Sequence, residues 1–568
     1  MKAQAGPAWD VGCGAAAAVR GGDAASPAWA SPAPLARRTT GHLLREAAAL
    51  HGDRPFLHWR GATYSYAEAG RRANRVANAF RALGVGKGAR VAILCANRVE
   101  YLDLWFGLSL IGAVELPLNT GYKGPQILHS LARAEVPVVV VQADLAPEFE
   151  AVAGQLRGCR HVVWLDAPVQ GPPGAAVHRY DDIVAAASDA PAGDIPVSGA
   201  DIGAIMNTSG TTGPSKGVLL PQAQQYWLGR NIAAALELGP GDVYYNFFPL
   251  FHNTAQAMIT LPVLMSGARM VLTEKFSLSA FWPDVRRHGV TAFYFIGEIL
   301  HLLVKDGGGG DAASSTLRAG WGIGGAPSDV AAFQRRHGVL LGTGYGSTEA
   351  NVPVFRPLGA DPASAAAGKV LPEFEMRIAD PSGQPMPAGG VGEALVRSSE
   401  PFAIMAGYDG NPVASEEALA GGWLRTGDAG RFDEDGNFYF SSRIKDVIRI
   451  RGENVSAFEI EEVILAVPGV AEAAAIAVPA EIGGDDVKVV VIATPGATLD
   501  PEDLVAACER RLPKYCVPRY VEFRDALPKT ETNKIRKNVL REDGLGPSTW
   551  DRLSKAYVVP QSVTKETR

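Results

Sequence analysis

The sequence predicts an α/β protein with a large N-terminal domain of several sheets and a small α+β C-terminal domain. The chain has 568 residues, too many for one ordinary hydrophobic core. From about residue 37, short apolar and β-branched runs alternate with helical patterns. This order is typical of parallel sheets covered by helices on both faces. Near residue 443 the pattern changes to a compact mixture of helix and strand.

Apolar periodicity predicts the elements of the N-terminal part. Helices are expected over 45–52 and 66–83, and strands over 56–61, 62–66, 90–95, 136–142 and 161–166. The longest apolar stretch, 102–118, contains Asp103 and Glu115 and is short for a membrane span. We expect a buried helix that runs into a strand there. The Pro- and Gly-rich stretch 167–200 is predicted to be loop.

The residues after 443 predict a second domain. Ser456 and Glu459 stand at the spacing of a capping box, which marks a helix start. Strands are expected over 473–478 and 487–493. Asp500 and Pro501 suit the N-cap and first position of a helix that continues to Leu512. We therefore place the domains at 37–442 and 443–568, after a leader over 1–36 that we expect to be disordered.

Composition excludes several functional classes. The net charge of −6 argues against nucleic acid as a partner, since such proteins usually carry a basic face. The five cysteines are far apart and form no CxxC pair, a pattern that fits neither a disulfide framework nor a zinc site. We expect a cytoplasmic protein without an integral membrane segment. A homodimer is left open.

The stretch NTSGTTGPSKGV at 207–218 resembles a phosphate-binding loop. Glycines let the backbone approach an anion, while hydroxyls and an ammonium group supply donors. It is not the G-x-x-x-x-G-K-[ST] loop, because Ser215 replaces the second glycine and Gly217 the final hydroxyl. Short apolar runs on both sides predict strand–loop–strand, with a helix starting only near Gln222.

Five further stretches suit a nucleotide site. In YGSTEA, Thr348 and Glu349 place a hydroxyl beside a carboxylate, which suits phosphate and magnesium. IGGAP offers a flat backbone to a purine, and the aspartate of TGD, Asp428, suits ribose hydroxyls. RIKDVIRIRGENVS and KTETNKIRK supply basic side chains and a glycine turn. Each stretch alone is more simply a turn or a solvated charge, but their joint occurrence in this order is not explained that way.

These blocks together resemble the adenylate-forming superfamily over about residues 40 to 540. The resemblance implies an AMP-forming acyl-CoA synthetase that uses ATP, Mg²⁺ and coenzyme A. It implies an ATP site made of Thr208, Ser209, Gly210, Thr211, Thr212, Lys216, Gly324, Gly325, Ala326, Pro327, Tyr345, Gly346, Asp428 and Arg443. Thr348, Glu349 and Lys534 would be catalytic, with Glu349 as the metal ligand.

The resemblance also implies a mobile C-terminal domain. It would swing about a hinge at Lys445 between adenylation and thioester formation, and Arg451, Gly452 and Glu453 would line the tunnel for coenzyme A. Two positions depart from the family pattern: Ser442 precedes Arg443, and Asn533 precedes Lys534. The first bears on hinge geometry; the second is harmless because Asn tolerates left-handed backbone.

Three functional hypotheses compete: an acyl-CoA synthetase, an adenylation enzyme that serves a carrier protein or an amine, and a nucleotide-binding scaffold without activity. Amino-acid adenylation needs a carboxylate to pair with the substrate ammonium, and FFPLFHNTAQ at 247–256 has none. A scaffold would be expected to lose Glu349, Asp428 or Lys534, and all three are present. We therefore favour the synthetase.

The acyl pocket is expected between two stretches of the N-terminal domain. RGENVSAFEIE is similar to the same block in carnitine/crotonobetaine-CoA ligases and fatty-acid-transport acyl-CoA synthetases, and YFIGEIL to the latter. The pocket residues implied are Phe251, His252, Asn253, Gly297 and Glu298. An alternative role for His252, as a gate that never touches the acyl tail, stays open. The sequence does not determine which acid is used.

Overall fold

A computed structural model describes residues 31–166, 171–193, 195–208, 216–306, 308, 316–444, 448–450, 453–455, 457–480, 485–512, 514–530 and 535–558. Within these residues no helix combines the length and the apolar character needed to cross a bilayer. The architecture is α/β: two large, mostly parallel sheets and a four-stranded antiparallel sheet, followed by a smaller α+β unit. The predicted fold class is confirmed.

The described strands, in chain order, are β1 Pro55–Trp59, β2 Ala62–Ser65, β3 Arg90–Leu94, β4 Val114–Pro117, β5 Val138–Gln142, β6 His161–Leu165, β7 Ala176–Arg179, β8 Ile202–Thr208, β9 Lys216–Pro221, β10 Val243–Asn246, β11 Arg269–Leu272, β12 Ala292–Ile296, β13 Ala319–Ile323, β14 Leu340–Ser347, β15 Asn351–Arg356, β16 Lys369–Val370, β17 Phe374–Ala379, β18 Gly392–Ser398, β19 Gly407–Tyr408, β20 Leu424–Phe432, β21 Phe438–Arg443, β22 Ile448–Ile450, β23 Glu453–Val455, β24 Val470–Pro479, β25 Asp485–Ala493, β26 Tyr520–Phe523, β27 Thr549–Asp551 and β28 Ala556–Tyr557.

The described α-helices are α1 Thr40–His51, α2 Tyr66–Ala82, α3 Val99–Leu110, α4 Gly124–Ala134, α5 Ala146–Ala153, α6 Tyr180–Ala185, α7 Gln222–Ala235, α8 Leu261–Ser266, α9 Leu278–His288, α10 Gly297–Asp306, α11 Pro327–His337, α12 Pro412–Ala418, α13 Ala457–Leu465, α14 Pro501–Arg511 and α15 Lys537–Asp543. A π-helix covers Thr254–Thr260. Short 3₁₀ turns lie at Leu35–Arg37, Ala143–Leu145, Ala420–Gly422 and Lys514–Cys516.

The first large sheet has nine strands in the order β16-β15-β14-β13-β12-β10-β11-β1-β2. Its centre, from β14 to β1, is parallel, and antiparallel strands close both edges. The second sheet runs β19-β9-β8-β4-β3-β5-β6-β7, and its pairs are parallel except for the two that β9 makes with β8 and β19. The near-continuous apolar runs of the sequence are strands of this second sheet, buried on both faces.

Local signals explain several element boundaries. Ser65 caps α2 by accepting a hydrogen bond from the backbone N–H of Glu68 at 3.2 Å. Asp500 does the same for α14, where its carboxylate accepts from Glu502 N at 2.8 Å. The stretch 102–118 is indeed a buried helix, α3, followed by strand β4. The prediction of loop over 167–200 was incomplete, since β7 and α6 lie within it.

The chain beyond β21 has a hydrophobic core of its own. Strands β24 to β28 form a mixed sheet, and the helices α13 and α14 pack on it through residues such as Ile460 and Leu504. Apolar side chains from Ile448 to Trp550 make up this core, separate from the main core between the two large sheets. The strands β22 and β23 form a hairpin next to it. The domain boundaries proposed above stay a prediction.

Candidate active site

The predicted site residues of the first sheet meet at one edge. Strands β10, β12, β13 and β14 run parallel, so their carboxyl ends face the same side, the usual place for a ligand in such sheets. The stretch 251–253 lies shortly after β10, Gly297 directly after β12, 324–327 directly after β13, and 345–349 at the end of β14. The fold therefore gathers four of the predicted blocks.

Tyr345, Asp428 and Arg443 form a connected group. The Tyr345 hydroxyl donates to Asp428 Oδ2 at 2.8 Å, and Arg443 Nε lies 3.4 Å from Asp428 Oδ1. Asp428 and Arg443 are direct partners in the β20–β21 register. Burial, with the Asp428 carboxylate as a smaller cause, raises the pKa of Tyr345 well above its ordinary value. The site therefore contains a buried carboxylate, that of Asp428, beside the half-exposed guanidinium of Arg443.

The turn that carries Thr348 and Glu349 is held through its backbone. Gln224 of α7 donates from Nε2 to the Thr348 carbonyl at 2.8 Å, and Met405 N donates to the Glu349 carbonyl at 2.9 Å. These bonds hold the main chain of the turn and do not involve the side chains of Thr348 and Glu349. Gln224 is fully buried and was not foreseen from the sequence.

Glu349 and Lys216 both contact Tyr408, a residue that the sequence analysis did not identify. The Tyr408 hydroxyl lies 3.4 Å from Glu349 Oε1, and Lys216 Nζ lies 4.4 Å from the centre of its ring, within cation–π range. Burial, followed by the Glu349 carboxylate, raises the pKa of Tyr408. Strand β19 brings Tyr408 here by pairing with β9. No local sequence signal marks that pairing.

The hairpin β8–β9 carries the predicted phosphate loop and rests on a buried ionic group. The strands pair antiparallel, with Thr208 opposite Lys216, so the two predicted strands are confirmed, while residues 209–215 between them lie outside the described part of the chain. The helix α7 starts at Gln222, as predicted. Arg133 donates to Asn207 Oδ1 at 2.8 Å and lies 3.4 Å from Asp409 Oδ2. Asp409 N donates to the Gly217 carbonyl at 2.8 Å. These contacts hold the loop end of the hairpin, where Asn207 pairs with Gly217.

The predicted adenine and acyl blocks touch at their glycines. Gly324 and Gly325 have φ values of 78° and 101°, which favour glycine. A Cβ placed on Gly297 would lie 2.7 Å from the Gly325 nitrogen. Ala326 precedes α11, and Pro327 occupies its first turn, where a missing N–H is harmless. A residue with a Cβ atom would therefore not fit at Gly297 without moving the turn at Gly325.

The predicted acyl-pocket residues 251–253 lead into the π-helix. Phe251 and Asn253 are buried. His252 Nδ1 accepts from the Thr254 backbone N–H at 3.2 Å, which places the proton of a neutral imidazole on Nε2. Asn253 Oδ1 lies 3.4 Å from Gln225 Nε2. Glu298, in the first turn of α10, is exposed.

Several predicted residues lie outside the described part of the chain: Ser209, Gly210, Thr211, Thr212, Lys445, Arg451, Gly452 and Lys534. Thr208 ends β8 and Glu453 begins β23, and only their backbone is described. The remaining predicted ATP residues lie in three places. Gly324 to Pro327, Tyr345 and Gly346 lie along the edge of the first sheet, and Thr208 and Lys216 lie on the hairpin β8–β9. Asp428 and Arg443 lie on the paired strands β20 and β21. Tyr408, Gln224 and Arg133 join them as residues that only the structure brings to the site.

Comparison with known proteins assigns the chain to a family. The family described as AMP-binding enzyme matches residues 44–409, and the family described as AMP-binding enzyme C-terminal domain matches residues 459–534. The crotonobetaine/carnitine–CoA ligase of Salmonella paratyphi A is 31% identical over 505 residues, covering 87% of this chain and 97% of the relative. A feruloyl-CoA synthase from an Amycolatopsis species is 34% identical over 485 residues, covering 85% and 94%.

Solved structures share the fold. The ATP-bound form of MatB from Rhodopseudomonas palustris superposes with a TM-score of 0.79 at 29% identity, covering 89% of this chain and 99% of that one. The anthranilate CoA ligase AuaEII, with anthranoyl-AMP, has a TM-score of 0.82 at 24% identity, covering 90% and 98%, and bears on the fold alone. These matches confirm the resemblance seen in the sequence: the chain belongs to the AMP-binding enzyme family and is an acyl-CoA ligase of that family.

Proposed function

We propose that this protein joins a carboxylic acid to coenzyme A in two steps. The acid carboxylate attacks the α-phosphorus of ATP, pyrophosphate leaves, and an acyl adenylate remains. The thiol of coenzyme A then attacks the acyl carbon, and AMP leaves with the bonding electrons. The observation that carries the proposal is the gathering of Tyr345, Asp428, Glu349 and Lys216 around one sheet edge in a member of this family.

The charges at that edge suit the first step. Two anions, the carboxylate and the triphosphate, must approach each other, so positive charge is needed where negative charge accumulates. Lys216 is proposed to bind the β- and γ-phosphates, and Arg443 to bind the ribose beside Asp428, from which its Nε lies 3.4 Å. Lys534 is the proposed catalytic lysine, with Thr348 at the α-phosphate. Gly324 to Pro327 would flank adenine.

Glu349 suits a magnesium ion whose other ligands would include phosphate oxygens of ATP. Mg²⁺ is usually bound by one or two carboxylates together with phosphate oxygens and waters. The described residues contain no cluster of three or more His, Cys, Asp or Glu side chains that could hold a metal alone. The Glu349 carboxylate lies 3.4 Å from the Tyr408 hydroxyl. When bound, the ion would neutralise charge on the phosphates. Glu349 itself would hold it next to Thr348.

Acid and acceptor define the finer part of the proposal. The relatives are named for crotonobetaine or carnitine and for ferulate, which are acids of different shape. We propose that the acid is selected by five residues of the acyl pocket: Phe251, His252, Asn253, Gly297 and Glu298. Coenzyme A would enter along Arg451, Gly452 and Glu453. The alternative acceptors are a carrier protein and an amine.

The first experiment is a pyrophosphate-release screen of the purified full chain over short, branched, medium and aromatic acids, with and without coenzyme A. We expect release with at least one acid and a thioester only when coenzyme A is present. Release followed by no thioester would favour the alternative acceptors. No release with any acid, from folded protein with ATP and Mg²⁺, would contradict the proposed activity.

The second experiment tests alternation of the domains 37–442 and 443–568 about Lys445. Lys534→Ala should lose adenylate formation by orders of magnitude but still convert a synthetic acyl adenylate to the thioester. Lys445→Pro should do the reverse, because a fixed φ blocks rotation without disturbing the first arrangement. Lys529→Ala is the matched control, since Lys529 is paired with Glu472 at 2.6 Å and should leave both steps intact. Parallel loss of both steps in both variants would refute alternation.

A further inference from the structure

A buried carboxyl group with no part in the proposed chemistry lies behind the acyl-pocket residues. Glu115, in strand β4, is 1% exposed, and burial raises its pKa to about 8 despite two hydrogen-bond donors. A carboxyl group in such surroundings is costly unless its neighbours are arranged around it. Its presence inside an otherwise apolar strand therefore calls for a role.

The partners of Glu115 connect it to the acyl block. The Tyr101 hydroxyl donates to Glu115 Oε1 at 2.7 Å. Gln256 Nε2 lies 2.9 Å from Oε1 and 3.2 Å from Oε2. The same Nε2 group lies 2.9 Å from the carbonyl oxygen of Leu250, the residue directly before Phe251. One amide group thus ties the carboxyl to the start of the acyl block.

A second contact reaches the other end of the block. Gln225 of α7 lies with Nε2 3.4 Å from Gln256 Oε1 and 3.4 Å from Asn253 Oδ1. All of these side chains are buried. The neighbouring Gln224 donates a hydrogen bond to the Thr348 carbonyl. Two consecutive glutamines of α7 therefore contact the acyl block and the turn that carries Thr348 and Glu349.

Gln256 belongs to the π-helix Thr254–Thr260. A π-helix is rare and less favourable than an α-helix, and it persists where the surroundings support it, often at functional sites. Here Gln256 supplies that support from one side, and the Thr260 hydroxyl donates to the Ala255 carbonyl at 2.7 Å on the other. The π-helix directly follows Asn253, so its geometry sets where residues 251–253 lie.

We propose that Glu115 and Gln256 are positioning residues for the acyl-pocket segment Phe251–Asn253, and that they set the affinity for the acid without taking part in nucleotide binding. This inference rests on the proposed function, because it assigns the acid to that segment. Both side chains are buried, so the effect would pass through the main chain at Leu250 and, by way of Gln225, through Asn253. A hydrogen-bonded buried group is well suited to this, because it allows only one arrangement.

The test uses variants that keep shape and remove hydrogen bonds. Glu115→Leu and Gln256→Met should each raise the KM for the acid at least tenfold and leave the KM for ATP within twofold of wild type. Glu115→Gln keeps an acceptor for Tyr101 and the shape of a protonated carboxyl, so its acid KM should stay within threefold. The matched control is Asp103→Asn, which removes a buried carboxylate paired with Arg72 at 2.5 Å but away from the acyl segment. It should lower Tm and leave both KM values unchanged.

Amide hydrogen exchange provides a readout that does not depend on activity. Residues 250–260 should exchange faster in Glu115→Leu and Gln256→Met than in wild type or Asp103→Asn. Unchanged exchange there in folded Gln256→Met would overturn the inference even if the enzyme showed no activity with any acid. Faster exchange with an unchanged acid KM, or an equal rise in both KM values, would also overturn it. Absence of pyrophosphate release from wild type would instead count against the proposed function.

Discussion

Replacing Gly297 by alanine tests whether the contact between two glycine turns shapes the nucleotide site. The added Cβ would lie 2.7 Å from the Gly325 nitrogen, whereas ordinary contacts begin near 3.4 Å, so the two turns must separate by about 0.7 Å. The opposing atom is backbone and cannot rotate away.

The size of the effect follows from packing energetics. Inserting a carbon into a closely packed contact costs about 1–3 kcal/mol, and 1.4 kcal/mol corresponds to a factor of ten in affinity. If the strain falls on the proposed adenine turn, the KM for ATP should rise about 5-fold to 140-fold. Helix propensity acts in the opposite direction, since alanine at the start of α10 favours the helix. A loss of affinity for ATP would therefore come from the contact between residue 297 and Gly325.

The assay is ATP-dependent pyrophosphate release at saturating acid, together with Tm for each protein. Gly154→Ala is the control: Gly154 ends α5 with a φ of −63°, and a Cβ there meets nothing within 4 Å. It should match wild type. A folded Gly297→Ala enzyme with a wild-type KM for ATP would refute the idea that this crossing positions the adenine turn.

Three further predictions concern single side chains. Lys216→Ala should raise the KM for ATP more than it lowers kcat, because a phosphate-binding ammonium acts mainly on binding; unchanged ATP dependence in steady-state assays would exclude a phosphate role. Glu349→Gln should abolish adenylate formation over a Mg²⁺ titration while circular dichroism stays native, and activity at ordinary Mg²⁺ would show that Glu349 is not the ligand. Glu115→Gln should flatten the pH dependence of stability. Burial raises the pKa of Glu115 from 4.5 to about 8, so the folded state keeps a proton that the unfolded chain releases and wild-type stability falls as pH rises between these values. Between pH 5 and pH 9 the Tm of wild type should therefore drop by more than that of the variant, and equal drops in thermal unfolding would contradict the burial of a protonated carboxyl.

The sequence by itself predicted the fold class and many elements because these depend on local patterns. Apolar runs and helical spacing placed β3, β5, β6 and α2 to within a few residues. The end of the hairpin at Pro221 and the N-cap at Asp500 followed from turn and capping chemistry. The family could be recognised for a related reason, since its motifs are short, contiguous and occur in a set order.

Contacts between distant strands could not be predicted in this way. Tyr408 reaches Lys216 and Glu349 only because β19 pairs with β9, and Asp428 meets Arg443 through strand register. The raised pKa of Glu115 depends on burial from every side. The π-helix after Asn253 was not expected, because every residue of Thr254–Thr260 is buried and the segment therefore shows no apolar–polar period that distinguishes a π-helix from an α-helix. The motifs thus indicated which side chains could bind a nucleotide. Their arrangement into one site depends on long-range packing, which no short stretch of sequence contains.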